Sequence, residues 1–251
     1  MTEVLVTGAT GEVGRGVLPW LQEHFSLRLL ALDPPGDDPR RIQADLLDWH
    51  ALSAAMCGAA SVLHLAVATG HSGVYEDDAF NDRRFDINVK GTFHLFEAAR
   101  RAGVRRVVHV SSLMVVWGHG CAAPVPGDAT PRPVGTYALT KALSENIARY
   151  YAEAQGMEVV TLRIAAPLDL DDPKGLRQPV RPQQIPLPDL AQAFIRALTV
   201  PLPRYEIVTL VGESSRRIWD LEAARRVLGY EPRYRLDDLG VSWAGPFAVE
   251  P

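Results

Sequence analysis

The sequence predicts an α/β fold: a doubly wound parallel sheet with helices on both faces and a small C-terminal lid. Two observations carry this reading. Short apolar runs alternate with segments of helical period for most of the chain, and those runs are continuously apolar, as strands covered on both faces are. With 251 residues and 47% hydrophobic content, the chain can fill one large core with an appendage, but not two full domains.

The elements follow in order. Residues 4–7, Val-Leu-Val-Thr, read as the first strand, and residues 13–23 as a helix with Val13, Val17, Leu18 and Leu21 at helical spacing. Residues 27–32 and 61–66 are further strands. A helix over 88–102 places Val89, Phe93, Phe96 and Ala99 on one face. A strand over 106–110 ends at Ser111 and Ser112. A helix over 137–154 carries Leu139, Leu143, Ile147 and Tyr151 at intervals of four, and residues 159–164 form the next strand. Residues 165–188 are a mostly polar loop with prolines at 167, 173, 179, 182 and 186, and Pro188 opens the next helix. A helix over 189–198, a strand over 207–211 and a helix over 220–228 complete the chain. The reading divides it into a main unit, 1–164, and a small extension, 165–251, interleaved with the same sheet.

Composition excludes several classes. The net charge is −4 and the isoelectric point about 6.0, so no basic stripe exists to follow a nucleic-acid backbone. No apolar run approaches the ~20 residues of a membrane span, and no leader precedes the first strand, so a cytoplasmic location is expected. The two cysteines, Cys57 and Cys121, form no C-x-x-C pair, which argues against zinc or a disulfide framework. Cys57 is expected to be buried near a helix end and Cys121 to lie in a loop. The seven histidines are scattered without H-x-x-x-H spacing, so no metal is expected; His64 and His109 read as core residues with satisfied nitrogens. Asp77-Asp78 reads as a solvated loop face.

Two stretches carry chemistry. Thr7-Gly8-Ala9-Thr10-Gly11-Glu12-Val13-Gly14 stands directly after the first strand and opens the first helix. One glycine permits the tight turn, a second lets backbone approach a pyrophosphate, and a third lets the helix pack close on the sheet. The helix N-terminus then faces the phosphates. Asp33 follows about 20 residues on, at the end of the second strand, where a carboxylate accepts both ribose hydroxyls and repels a 2′-phosphate. This is the fingerprint of a dinucleotide-binding Rossmann fold and favours NAD over NADP. Asp45-Leu46 sits where a third strand would finish; it suits an adenine, or equally caps a helix over 46–50.

The second stretch is Tyr137 and Lys141, four apart at the start of a helix and so on one face. A phenol near pKa 10 is a poor base at neutral pH. An ammonium at roughly 4 Å contributes about 4 kcal/mol at an effective dielectric of 20, enough to bring the phenol well toward neutrality. Such a tyrosine removes an alcohol's proton as hydride leaves for a nicotinamide. With seven tyrosines and only Lys90, Lys141 and Lys174 as lysines, about 0.08 such pairs arise by chance. Ser112, at a strand end 25 residues earlier, can hold the substrate oxygen, with Ser111 beside it.

Together TGATGEVG (7–14), Asp33, Asp45-Leu46, HLAVAT (64–69), NVKGT (88–92), HVSS (109–112), YALTK (137–141) and LRIAAP (162–167) resemble the extended short-chain dehydrogenases, the group of NAD-dependent sugar epimerases, dehydratases and dehydrogenases. The resemblance implies that Gly8, Thr10, Gly11, Glu12, Val13, Gly14, Leu65, Ala66 and Ala68 bind NAD, with Asp33, Asp45, Leu46 and Ile164. It implies that Asn88 supports Lys141 through water, and that Ser112, Tyr137 and Lys141 perform the chemistry. FEAARRAGVRRVVHVSS (96–112) and WDLEAARRVLGYEPR (219–233) look most like the uronate dehydrogenases, which oxidise the anomeric hydroxyl of a hexuronic acid to a lactone. Thr69 occupies the position of a substrate-binding serine in that family, in which Asn-His follows the catalytic serine and an arginine pairs with the carboxylate. Here Leu113-Met114 follows Ser112, and the arginine has approximate counterparts in Arg177 and Arg181. The resemblance also implies a homodimer through the helices 88–102 and 137–154, which bear apolar residues on more than one face. Three readings follow: a dehydrogenase of a sugar, sugar acid or other small secondary alcohol; an epimerase or dehydratase that retains its NAD; and a dinucleotide-sensing regulator without chemistry.

Overall fold

The computed structural model describes residues 1–69, 75–120, 124–172, 176, 179–215 and 218–243. Its first strand, β1 (Glu3–Thr7), buries Val4, Leu5, Val6 and Thr7 completely, which is why that run is apolar on both faces. The elements then alternate: α1 (Glu12–Leu21), β2 (Ser26–Ala31), β3 (Arg41–Gln43), α2 (Trp49–Met56) and β4 (Ser61–His64). α3 (Asp78–Arg84) runs through a π-helical stretch, Phe85–Gly91, into α4 (Thr92–Arg101), and β5 (Arg106–Ser112) follows. A 3₁₀ segment, Leu113–His119, precedes α5 (Thr136–Glu153), β6 (Glu158–Ile164), the two-residue strands β7 (Pro167–Leu168) and β8 (Ile185–Pro186), α6 (Leu187–Thr199), β9 (Tyr205–Leu210) and α7 (Glu222–Leu228).

Among the described residues seven strands form one parallel sheet, ordered β3-β2-β1-β4-β5-β6-β9. The order reverses between β1 and β4, and a ligand crevice opens there, outside the carboxyl ends of the strands. Register puts Thr7 beside His64 on one side and Leu30 on the other, and Ser112 beside Ile164. All the groups just past these strand ends therefore share one rim.

Each face has its own core. Val6, Val17, Val108, Leu162, Leu190, Phe194 and Trp219 pack on the face covered by α1, α6 and α7. Leu5, Leu52, Val62, Phe96, Val107 and Tyr151 pack on the other, under α2, α4 and α5. Burying each such side chain contributes roughly 1.5–3 kcal/mol. β9 and α6 belong to these layers: β9 pairs with β6, and α6 packs on α1.

Several expectations are corrected. The helix expected over 88–102 begins ten residues earlier, and its start is π-wound, a feature common at functional sites. Phe93 is 47% exposed, and so are Leu139 at 42% and Leu143 at 36%. A step of four residues overshoots a full helical turn by about 40°, so the row Leu139, Leu143, Ile147, Tyr151 spirals from solvent into the core. The buried face of α5 is instead Ala138, Lys141, Ala142, Glu145, Ala148 and Ala152. Asp48, not Asp45, caps α2, accepting from the His50 and Ala51 amides. Cys57 is exposed at the end of that helix rather than buried, its thiol donating to Ser53 O; Cys121 lies outside the described residues. Asp77 is not merely a solvated charge but caps α3 at the Phe80 amide.

Candidate active site

The turn from β1 to α1 is built without room for side chains. Gly8 adopts φ +68°, and a Cβ there would lie 2.7 Å from the Ala66 backbone; one on Gly14 would lie 2.5 Å from Ala9 O. Gly11 caps α1 without a side-chain hydrogen bond, which leaves the helix's first N–H groups facing outward for an anion. Thr10 Oγ1 donates to Asp33 Oδ2 at 2.6 Å, fixing that carboxylate at the end of β2. A cleft of about 220 Å³ runs across this edge, lined by Gly8, Thr10, Gly11, Asp33, Asp45, Leu46, Leu65, Ala66, Ala68 and Thr69. A glycine cradle with open N–H groups and a carboxylate on the wall of the same cleft are the partners that a dinucleotide's phosphates and ribose require, so the residues fit NAD. Glu12 instead lines a neighbouring recess with Arg15, Asp169 and Asp172, and Thr69 stands with the nucleotide residues rather than with the candidate substrate residues.

Buried polar groups brace this loop. Thr92 donates to Asn88 O at 2.7 Å, so it accepts from His64 Nε2–H at 3.2 Å. His64 Nδ1 is thereby left to accept from Thr7 Oγ1 at 2.7 Å. Burial, and secondly the Lys141 charge, pushes His64 down to about 3, which keeps it neutral. His109 does not have both nitrogens satisfied: Nδ1 faces Thr161 Oγ1, and Nε2 has no partner among the described residues.

Val13 and Leu65 pass into a second pocket of about 550 Å³, with Ser111, Ser112, Leu113, Met114, Trp117, Tyr137, Lys141, Ile164, Ala165, Arg181, Gln183 and Gln184 on its walls. The pocket is within the size of a small-molecule site. Ser112 and Tyr137 both wall this pocket, so the strand end and the helix start meet there, and Ser112 Oγ accepts from the Met114 amide at 3.2 Å.

The electrostatics differ from expectation. Lys141 Nζ donates to Val110 O at 2.7 Å, and burial lowers it to about 8 against the pull of Glu145. Burial pushes the Tyr137 phenol up; the Ser112 hydroxyl and the Arg84 guanidinium oppose this, and Tyr75 adds to it. Lys141 is anchored on the strand carbonyl, on the wall of the same pocket as the phenol. The direct bonds of Asn88 go to residues other than Lys141. Its carboxamide oxygen accepts from the Ala68 amide at 2.9 Å and its nitrogen donates to Thr140 Oγ1 at 3.0 Å. Thr140 donates onward to Tyr137 O at 2.9 Å, so Asn88 ties the loop after β4 to α5. Ser111 is on the pocket wall, but its hydroxyl is engaged in donating to Glu145 Oε1 at 2.6 Å. Arg177 lies outside the described residues.

Sequence reasoning missed Tyr75, Trp117, Gln183 and Gln184, which also wall the pocket. None has a motif; the loops and short strands that deliver them are set by tertiary packing. Glu145 was within reach, since it follows Lys141 by four residues on the same helix face.

The sequence profile of the NAD dependent epimerase/dehydratase family matches residues 4–168. The chain is similar to the NAD-dependent glucose-6-phosphate dehydrogenase of Haloferax volcanii, 29% identical over 92% of both chains. It is likewise similar to the uronate dehydrogenase of Pseudomonas putida, 29% identical over 92% of this chain and 83% of the relative. The crystal structure of uronate dehydrogenase from Agrobacterium tumefaciens superposes with a TM-score of 0.78 at 26% identity, covering 95% of this chain and 87% of that one. The matched span takes in the glycine turn, the Asp33 carboxylate and the Ser112, Tyr137 and Lys141 rim, and by it the chain belongs to the NAD dependent epimerase/dehydratase family.

Proposed function

We propose that the chain is an NAD-dependent dehydrogenase of the short-chain type, oxidising a secondary alcohol of a small sugar, sugar acid or related, partly apolar molecule. The observation that carries this is the gathering of Ser112, Tyr137 and Lys141 on the walls of one pocket that adjoins the nucleotide cleft through Leu65 and Val67. Bound NAD supplies the hydride acceptor. The chain's own contribution is to hold and deprotonate: Ser112 Oγ orients the substrate oxygen, Tyr137 Oη takes its proton, and Lys141 keeps a positive charge at the junction of the two clefts. Gly8, Gly11, Gly14 and Asp33 are the residues to hold the nucleotide half. Residues 165–251 serve as a substrate-side extension of the NAD-binding unit 1–164, since Arg181, Gln183 and Gln184 enter the pocket from there.

The relatives' names, a glucose-6-phosphate, an arabinose and several uronate dehydrogenases, support a sugar or sugar acid. The pocket narrows this. Leu113, Met114 and Trp117 form an apolar wall, and Arg181, Gln183 and Gln184 bring polar groups. The substrate this fits has one apolar face and one polar or anionic end, which Arg181 would receive as a bidentate partner. A site built to bond a hydroxyl discriminates by ~10⁴ or more against ligands lacking it, whereas an apolar wall yields only ~1–3 kcal/mol per methylene. In a screen of NAD reduction, NADH is expected to accumulate one for one with product. Catalytic efficiency, kcat/KM, is expected to be higher on partly apolar secondary alcohols than on glucuronate or galacturonate. Higher efficiency on the hexuronates would overturn the role given to Leu113 and Met114. Turnover without net NADH would replace the dehydrogenase by a retained-cofactor epimerase or dehydratase.

The reading carries a cytoplasmic location, where nicotinamide cofactors are available; no helix among the described residues is long and apolar enough to cross a membrane. It also carries a homodimer. Phe85, Phe93, Leu139, Leu143 and Tyr150 are exposed along the π-helical stretch, α4 and α5, and α4 packs on α5. Two copies of that pair make a four-helix seam. Light scattering at micromolar concentration is expected to give twice the chain mass, and Leu143→Glu to lower it; a monomer mass for the wild type refutes the seam.

A further inference from the structure

The helix expected from residue 88 starts at Asp78 instead, and the added turns bring to the nucleotide cleft two side chains that no motif announces. Arg83 and Ile87 both line that cleft, four residues apart and so on one helical face. Arg83 is exposed, and among the described residues it makes no hydrogen bond or ion pair. Its neighbour Arg84 is engaged elsewhere: it is buried, donates to Asn81 and lies against the Tyr75 and Phe80 rings. Among the described residues on the cleft walls Arg83 is the one cation, and the other charged groups are Asp33 and Asp45.

Two contacts decide which part of the cleft this helix serves. His94 Nδ1–H donates to Leu46 O at 3.1 Å, and a Cβ on Gly91 would lie 3.0 Å from Leu46 Cβ. The π-helical stretch and α4 are therefore held against the segment that follows β3, not against the glycine turn. The open N–H groups at the start of α1 suit the phosphates and Asp33 suits the ribose, which leaves Leu46, Ile87, Asp45 and Arg83 for the base. Two aliphatic side chains and one carboxylate suit a flat heteroaromatic ring that carries an amino group. A guanidinium is itself planar and weakly hydrated, and it stacks on such a ring where an ammonium does so less well.

We infer that Arg83 closes the cleft over the cofactor's adenine ring, its guanidinium laid on the face of the base, and so adds affinity for any ligand that carries adenosine diphosphate. The inference rests on the cleft holding NAD and not on the dehydrogenase chemistry in the neighbouring pocket. It also gives the early start of the helix a purpose, since a helix begun at residue 88 would carry neither Arg83 nor Ile87.

Binding of NAD, ADP-ribose and NADP to the cofactor-free protein is measured by titration calorimetry for wild type, Arg83→Gln and Arg83→Tyr. Arg83→Gln is expected to weaken NAD and ADP-ribose alike, by about three- to tenfold. The loss is expected to persist at about 0.5 M salt, where exposed charges are screened over a few ångströms. Arg83→Tyr removes the charge but supplies a ring that stacks on a base, and is expected to restore binding to within about twofold of wild type. An Arg83→Gln protein that binds NAD like wild type overturns the inference. So does an Arg83→Tyr protein as weak as Arg83→Gln, or a loss that vanishes in salt, because either result makes Arg83 a partner of the diphosphate. A loss confined to NADP overturns it too, and assigns Arg83 to a 2′-phosphate. The titrations contain no alcohol, so they decide the matter even if no alcohol reduces NAD, which is the failure of the dehydrogenase reading instead.

Discussion

Tyr137→Phe is expected to lower kcat by about 10²–10⁴-fold, the usual worth of a positioned general base, while NAD binding is retained within a few-fold. The change removes one oxygen from a half-buried ring and leaves the ring's packing in place. What disappears is the pocket hydroxyl to which the proposed mechanism assigns the substrate's proton. Tyr137 is absent from the walls of the nucleotide cleft, so cofactor affinity has no reason to change much. Binding measured by NAD titration and turnover measured on the same preparation separate the two effects. A variant that turns over like wild type would sink the mechanism; one that loses NAD as well would show that the ring supports the cleft.

How much of this was legible in the sequence depends on how local the cause is. The glycine turn, Asp33 and the Tyr137–Lys141 pair were legible because each is fixed by backbone geometry over a few residues: a turn that excludes Cβ atoms, a strand end, one helical turn. The strand order was legible only as a class, since continuous apolar runs announce a parallel sheet without saying which strands adjoin. Burial along α5 was misread because an interval of four drifts around the helix, and only the observed face, carrying Lys141 and Glu145 inward, separates Leu139 from Ala138. The roles of Asn88 and Lys141 were less legible still. Both side chains stand at the strand rim, but their partners, Ala68 with Thr140 and Val110, come from other elements. Glu76 left no local mark, because what matters about it is a bond from the Thr136 amide at a helix start some 60 residues away.

The second large effect is on stability and centres on Glu145. Its carboxylate receives Arg163 at both oxygens, Nε to Oε1 at 2.9 Å and Nη2 to Oε2 at 2.8 Å, together with the Ser111 hydroxyl. Both side chains are buried. Arg163 also donates to Ala129 O at 2.6 Å, fixing the segment that leads into α5. Removing one partner strands the other's charge in the core, so Arg163→Met or Glu145→Gln is each expected to cost about 3–5 kcal/mol. Arg163→Met is the harsher of the two for order at the site, because Ala129 O loses its donor as well. Replacing both partners by methionine removes the stranded charge, and the double variant is expected to be more stable than the sum of the two methionine singles predicts. Urea midpoints of wild type, Arg163→Met, Glu145→Met and the double variant close the cycle. Single changes costing under about 1 kcal/mol, the range of exposed pairs, would mean the pair is hydrated and contributes little. Glu145 has a second effect within the site: it is the charge that favours the ammonium of Lys141 against burial. Since burial already brings Lys141 to about 8, losing Glu145 lowers it further and leaves a growing neutral fraction at neutral pH. Glu145→Gln is therefore expected to lose turnover at pH 7 in preparations that remain folded, and to recover it as pH falls and the ammonium is restored, until the Tyr137 phenol becomes too protonated to act as base. A folded Glu145→Gln enzyme with the wild-type pH profile would show that Glu145 holds the fold around Lys141 without setting its charge.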